Sequence, residues 1–205
     1  MIVRNLAAEG KERIVRNMLI LASASPRRSE LLRQINWDFT CRPAECEELT
    51  SEQESDPVQL VLKNAALKAQ AAAAFAEPGD AVLGADTVVS CGGRIFGKPH
   101  SDEEASEMLR ALSGRVHQVC TGIAVIKDGR LYSDVSVTDV AMKELSTKEI
   151  ADYVKSGEPH GKAGAYAIQG LAAVFVEKIN GSYSNVVGLP LNCLYSLLQK
   201  AGIEP

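Results

Sequence analysis

At 205 residues, 46% hydrophobic and 23% charged, the chain has the length and apolar content for one globular domain that needs no metal or disulfide to hold its core. A formal net charge of -4 argues against broad binding to nucleic acid or to an anionic membrane, so any anion site must be local. Five cysteines without a Cys-x-x-Cys pair predict reduced thiols and a cytosolic protein, three scattered histidines make no zinc motif, and no apolar run reaches membrane-spanning length.

Residues 1–17 mix charges with short apolar pairs and lack the hydrophobic segment of a secretory signal. They read as an N-terminal extension, compatible with disorder, before a single domain over residues 18–205. Leu19 to Leu32 then spell a strand, a Ser-rich turn carrying a proline, and a helix start. Ser25 suits the N-cap and Pro26 the first helical position, leaving orphan N–H groups turned toward whatever fills the bend. Arg27 and Arg28 have the wrong sign for the dipole at this helix end. Their forked donors, with the hydroxyls of Ser23 and Ser25, match phosphate oxygens, so the bend reads as a phosphate cradle; an ordinary solvated first turn is the alternative.

The helix is expected to run to about Ile35, followed by a strand over Trp37 to Cys41. The stretch from Ala44 to Asp56 is acidic and without apolar period, a solvated loop unless one carboxylate faces the arginines and helps hold a divalent metal. Glu45, Glu47 and Glu48 all remain open for that role. Asp56-Pro57 opens a long Ala-rich helix through Phe75, on which Lys68 is solvent-facing by default. Ala81 to Val89 reads as a buried strand interrupted by Asp86. A carboxylate in such company either meets a cation or caps a turn at the strand's end.

Cys91-Gly92-Gly93-Arg94 is a hairpin turn leading to Gly97-Lys98-Pro99, where Lys98 is either a pinned phosphate contact or a solvated loop lysine. Ser101 caps a helix to about Leu112, and an Asp-Gly turn joins two alternating strands, Val116 to Ile126 and Leu131 to Met142. A further helix from Thr147 to Ser156 suggests no chemistry. The small residues of Gly161 to Gly170 permit close approach to a helix or a planar ligand. Gln169 within them offers an amide to a base edge, or else is a satisfied core glutamine. A strand over Ala172 to Ile179, a turn over Asn180 to Asn185 and a last helix from Pro190 to Ala201 complete the expected order.

Five segments in this order and spacing carry a family signature: Ala22-Ser23-Ala24-Ser25-Pro26-Arg27-Arg28, Gly84-Ala85-Asp86-Thr87-Val88, Gly97-Lys98-Pro99, Lys162 to Gly170, and Asn180-Gly181-Ser182-Tyr183 with Val187-Gly188-Leu189-Pro190-Leu191. The chain from Met18 onward resembles the Maf family of nucleoside triphosphate pyrophosphatases, on the branch acting on dTTP and UTP. The resemblance implies an α/β fold, a bent mixed sheet flanked by helices with a central cleft between two lobes, as in the inosine triphosphatase-like group. It implies hydrolysis between the α and β phosphates with a divalent cation, Mg²⁺ or Mn²⁺, held by Asp86 and Glu48.

In that pattern Asp86 matches the catalytic base and Glu48, Lys68 and Lys98 the other charged catalytic positions. Arg27, Thr87 and Gln169 match positions linked to base preference, while Ser23 and Arg28 complete the phosphate loop. Ala167 departs from the family's usual glycine after Tyr166, a change that narrows the pocket. The implied partner is a nucleoside triphosphate, with no nucleic acid and no membrane; the oligomeric state stays open, a homodimer included. Two alternatives stand beside this expectation, a 7-methyl-GTP pyrophosphatase of the same family and a non-catalytic nucleotide-binding regulator of septum formation.

Overall fold

The computed structural model describes residues 18–43 and 45–203, so the expected extension over residues 1–17 lies outside the described residues. The apolar runs build a mixed sheet of seven strands: β1 Leu19–Leu21, β2 Phe39–Cys41, β3 Ala81–Cys91, β4 Arg94–Phe96, β5 Val116–Lys127, β6 Arg130–Met142 and β7 Val176–Asn180. Their spatial order is β2-β1-β3-β5-β6-β7, with β4 also on β3. Only β1 pairs in parallel, with β2 on one side and β3 on the other; the hairpins β3–β4, β5–β6 and the outer β7 are antiparallel. The helices are α1 Pro26–Gln34, α2 Pro57–Ala73, α3 Asp102–Leu112, α4 Thr147–Lys155, α5 Tyr183–Val187 and α6 Leu191–Lys200. This is the mixed α/β class that the sequence predicts.

The two faces of the sheet are covered differently. The larger core joins Leu32 of α1, Leu109 of α3, Ile150 of α4 and Leu194 of α6 to the odd-numbered residues of β3 and β5, such as Leu83 and Ile123. The opposite face takes α2 alone, through Ala65, Ala69 and Val61 against Val82, Ala124 and Val88. That helix lies unusually close to the strands: a Cβ on Gly84 would fall 2.1 Å from the Ala65 carbonyl oxygen, and one on Gly122 2.5 Å from the Val61 carbonyl. Two glycines on neighbouring strands therefore seat the α2 backbone directly on the sheet. The N-cap of α2 is as expected, with Asp56 Oδ1 accepting from Val58 N at 2.8 Å.

Three expected elements differ. The strand foreseen over Ala172 to Ile179 is a 3₁₀ helix, Leu171–Phe175, followed by β7; a five-residue apolar run has no period to separate the two, and the Glu158 carboxylate decides by accepting from the amides of Leu171 and Ala172. The turn foreseen over Asn180 to Asn185 instead opens α5, capped by the Ser182 hydroxyl on Asn185 N. The strand foreseen from Trp37 begins at Phe39, because Trp37 N still donates to Leu32 O and closes the end of α1. No helix among the described residues is long and apolar enough to cross a membrane.

Candidate active site

The site lies where the sheet runs out of strands. β1 accompanies β3 only from Ala81 to Leu83, and β4 joins β3 only from Val89 onward. Between them one edge of β3 faces no strand among the described residues, and Asp86 and Thr87 fall in that gap. This is the carboxyl end of the parallel β1, the usual place for a ligand in an open α/β sheet. Because side chains alternate along a strand, Asp86 points to α2 and Thr87 to the opposite face. Asp86 therefore sits mid-strand, and the alternative of a turn cap at the strand's end is overturned.

On the α2 face, Lys68 is the counter-charge that a buried Asp86 requires. The two are 9% and 8% exposed, with Lys68 Nζ 2.7 Å from Asp86 Oδ1. The same ammonium lies 2.8 Å from Glu48 Oε2, so one cation bridges two carboxylates. Lys68 is thus not the solvent-facing residue its Ala-rich helix suggests. Asn64, one turn earlier on α2, places the loop acid: its Oδ1 accepts from Leu49 N at 2.8 Å and its Nδ2 donates to Leu49 O at 3.1 Å. The same Nδ2 lies 3.3 Å from Asp86 Oδ2. Of the three loop glutamates left open by the sequence, Glu48 is the one lining the cavity, and Asn64 is a site residue that sequence reasoning did not single out. Burial, then the neighbouring Glu48, pushes the Cys46 thiol up, opposed by Lys68.

On the opposite face, the arginines of α1 tie three segments together. Arg28 donates through Nε to Gly188 O at 2.9 Å, through Nη1 to Ser23 Oγ at 3.1 Å and through Nη2 to Thr87 Oγ1 at 3.1 Å. Thr121 Oγ1 donates to Asn185 O at 3.1 Å, which leaves it to accept from Thr87 Oγ1 at 3.0 Å. The hydrogen-bond order from Arg28 to α5 is thereby fixed in one direction. Arg27 is looser, with Nε 3.3 Å from Val187 O and Nη2 3.4 Å from Gly161 O. Burial lowers the pKa of both guanidiniums, opposed in Arg28 by Asp86 and in Arg27 by Glu30; arginine remains charged regardless. Ser25 takes the N-cap position of α1 without using its hydroxyl as a cap.

The cavity these groups enclose has a volume of about 350 Å³, in the range of roughly 300–1,000 Å³ typical of small-molecule sites. Its lining includes five cationic side chains, Arg27, Arg28, Lys68, Lys98 and Lys162, against two acids, Glu48 and Asp86. In a chain of net charge -4, this is a local concentration of positive charge. Lys98 and Gln169 are exposed at its rim, so Gln169 is not a core glutamine. Lys162 is a cation the sequence reading passed over as a site residue, although its place in the Gly161 to Gly170 stretch was a signal. Tyr166 forms a wall, its hydroxyl 2.8 Å from Nε2 of His117, which is 1% exposed. All nine residues expected at the site thus line a single cavity.

Residues 18–201 match the family model described as Maf-like protein. The chain belongs to the Maf family. Among its Maf relatives it is 48% identical to the dTTP/UTP pyrophosphatase of Photorhabdus laumondii, over 89% of this chain and 93% of that one. It is 46% identical to the dTTP/UTP pyrophosphatase of Thermococcus gammatolerans, over 91% and 98% respectively. The Staphylococcus aureus Ham1 protein has a partial structural likeness to this chain, over 62% of this chain and 72% of its own, at 18% identity and a TM-score of 0.41.

A divalent cation fits this Maf site in one particular way. No group of three or more His, Cys, Asp or Glu side chains gathers among the described residues, so there is no all-protein cage. Asp86 and Glu48 instead offer two carboxylates on one wall of a cationic pocket. That donor set suits Mg²⁺ or Mn²⁺ arriving with phosphate oxygens and its own waters, the arrangement such small, strongly hydrated cations prefer.

Proposed function

We infer that this chain hydrolyses dTTP and UTP between the α and β phosphates, releasing the nucleoside monophosphate and pyrophosphate. The observation that carries the reading is the Glu48–Lys68–Asp86 cluster facing the arginines of α1 across one cavity. The names of relatives at 46–48% identity support the choice of substrate. In this reading the triphosphate lies along the cationic lining, and the base reaches the rim formed by Gln169.

Asp86 takes the proton of the attacking water. The water oxygen bonds to the α-phosphorus in line with the departing bridge, the bond from that phosphorus to the bridging oxygen breaks, and pyrophosphate leaves with the electron pair. Lys68 pairs with Asp86 and holds Glu48 beside it; Arg27, Lys98 and Lys162 offset charge on the phosphate oxygens as it moves to the leaving group. Arg28, already bonded to Ser23, Thr87 and Gly188, shapes the turn more than it reaches for substrate. Asp86 and Glu48 would hold a divalent cation, which would acidify water and neutralise phosphate charge. Gln169 gives its carbonyl oxygen to the N3–H of uracil or thymine and its amide N–H to O4.

The test is pyrophosphate release across canonical nucleoside triphosphates and 7-methyl-GTP, with Mg²⁺, with Mn²⁺ and with a chelator. dTTP and UTP should lead the panel, and the chelator should silence them. Leadership by 7-methyl-GTP would move the chain to the neighbouring branch. Nucleotide binding without turnover of any substrate would favour a non-catalytic regulator.

A further inference from the structure

Helix α4 and the turn after it suggest no chemistry as sequence, yet two of their side chains grip the segment that carries Gln169 from both ends. Tyr153 Oη accepts from Ala167 N at 3.2 Å, two residues before the glutamine. Glu158 accepts from Leu171 N at 3.0 Å and Ala172 N at 3.3 Å, two and three residues after it. The grips are one unit, since Tyr153 Oη donates to Glu158 Oε1 at 2.9 Å. Burial, then this bond to Glu158, raises the pKa of the Tyr153 phenol. A phenol that keeps its proton is what the arrangement needs, because it must donate to the carboxylate while accepting from the amide.

The glycine next to Gln169 belongs to the same device. A Cβ on Gly170 would meet Glu158 Oε2 at 2.3 Å, so any side chain there evicts the carboxylate from the amides it holds. Gly170 sits at φ -110°, outside the left-handed region that favours glycine. The close approach of Glu158 is therefore the reason for glycine. Gln169 itself is exposed, so nothing in its own burial fixes its direction. Its aim comes from the backbone, and the backbone is held by Glu158 and Tyr153.

We propose that Glu158 and Tyr153 are positioning residues for base recognition, locking the Ala167–Ala172 backbone so that the Gln169 amide meets the base edge in one orientation. This deepens, and rests on, the reading of the chain as a pyrimidine nucleotide pyrophosphatase. Neither Glu158 nor Tyr153 is among the residues lining the cavity that holds Asp86 and Lys68, so the grip acts on substrate choice and not on the chemical step.

The experiment compares kcat and KM for dTTP, UTP and dCTP in the wild type, Glu158→Gln, Gly170→Ala and Tyr153→Phe, with thermal melting and wild-type amide exchange alongside. Each folded variant should raise KM for dTTP about tenfold, narrow the preference for dTTP over dCTP by a similar factor, and leave kcat within about threefold. Because Glu158 also lies near Lys162, its loss could act through charge alone. Gly170→Ala and Tyr153→Phe change no charge, and an effect confined to Glu158→Gln would overturn the positioning role. Unchanged ranking in folded variants would overturn it too, as would fast exchange of the Leu171 and Ala172 amides in the wild type. A wild type that releases no pyrophosphate from dTTP or UTP refutes the functional reading itself, a result separable from a wild-type enzyme whose variants keep its ranking.

Discussion

On the face of β3 that meets α2, charge is held by charge: Asp86 and Glu48 share one ammonium, and Asn64 fixes the loop that brings Glu48 in. On the other face a neutral ladder of Thr87, Thr121 and Asn185 leads away from Arg28, and Gln169 waits at the rim, aimed by its backbone. The first arrangement suits bond breaking, because it holds a carboxylate in one fixed place where an attacking water can meet it. The second suits recognition, because directional donors discriminate between base edges while an ion pair does not. Alternation along one strand separates the two tasks by a single residue, and a one-residue slip of β3 would exchange them.

This division can be broken from either side. Asp86→Asn removes the proton acceptor and should lower kcat by about 10³ with nucleotide binding still measurable; unchanged turnover would take Asp86 out of its role. Gly122→Ala drives a methyl into the Val61 carbonyl, lifting α2 and with it Lys68. A loss of about 2 kcal/mol in denaturant unfolding is expected, together with slower turnover and an unchanged order of substrates. A change of ranking in that variant would mean that the two faces are coupled.

His117 sharpens the recognition side through pH. Burial pushes it down to about 4 from 6.5, and its Nδ1 has no partner among the described residues, so it is neutral in the fold. The unfolded chain binds this proton first as pH falls, so the stability contributed by the neutral imidazole is present above about pH 6.5 and drains away toward pH 4. Between pH 7 and pH 5 the loss is about 2 kcal/mol, seen as a fall in the unfolding midpoint. His117→Gln should flatten that slope, and an equally steep slope would place the titration elsewhere. The smallest effect is expected for Gln169→Ala: a narrowing of the dTTP-over-dCTP preference by about tenfold, with kcat for dTTP nearly kept. A preserved ranking would leave base selection to Arg27 and Thr87.

Much of this was legible in the chain itself. The Ser-Pro-Arg-Arg bend, the acid within an apolar strand and the Asp-Gly hairpin of β5 and β6 are local signals, set by φ/ψ preference, charge cost and alternation over a few residues. They set the α/β class and most of the element order, and they made Asp86 and Arg27 candidates; the family resemblance, rather than local signals, joined the two in one site. Local signals failed where a distant group made the decision. Glu158 turned Leu171–Phe175 from an expected strand into a 3₁₀ helix, and a five-residue α5 was too short to show a period.

Read residue by residue, the sequence also left three glutamates equal in the acidic loop and made Lys68 an ordinary exposed lysine, and it was the family resemblance that singled out Glu48 and Lys68. The tertiary structure supplies the physical reason, because a charge's value depends on what lies opposite it and on how much water remains. Gly84 and Gly122 let α2 settle onto the sheet, the settling put Lys68 over Asp86, and Asn64 then brought Glu48 to the same ammonium. Residue types and their order along the chain are local properties, and so the sequence determined them; ionic partnership, burial and the aim of an exposed amide are properties of packing, and these the fold decided.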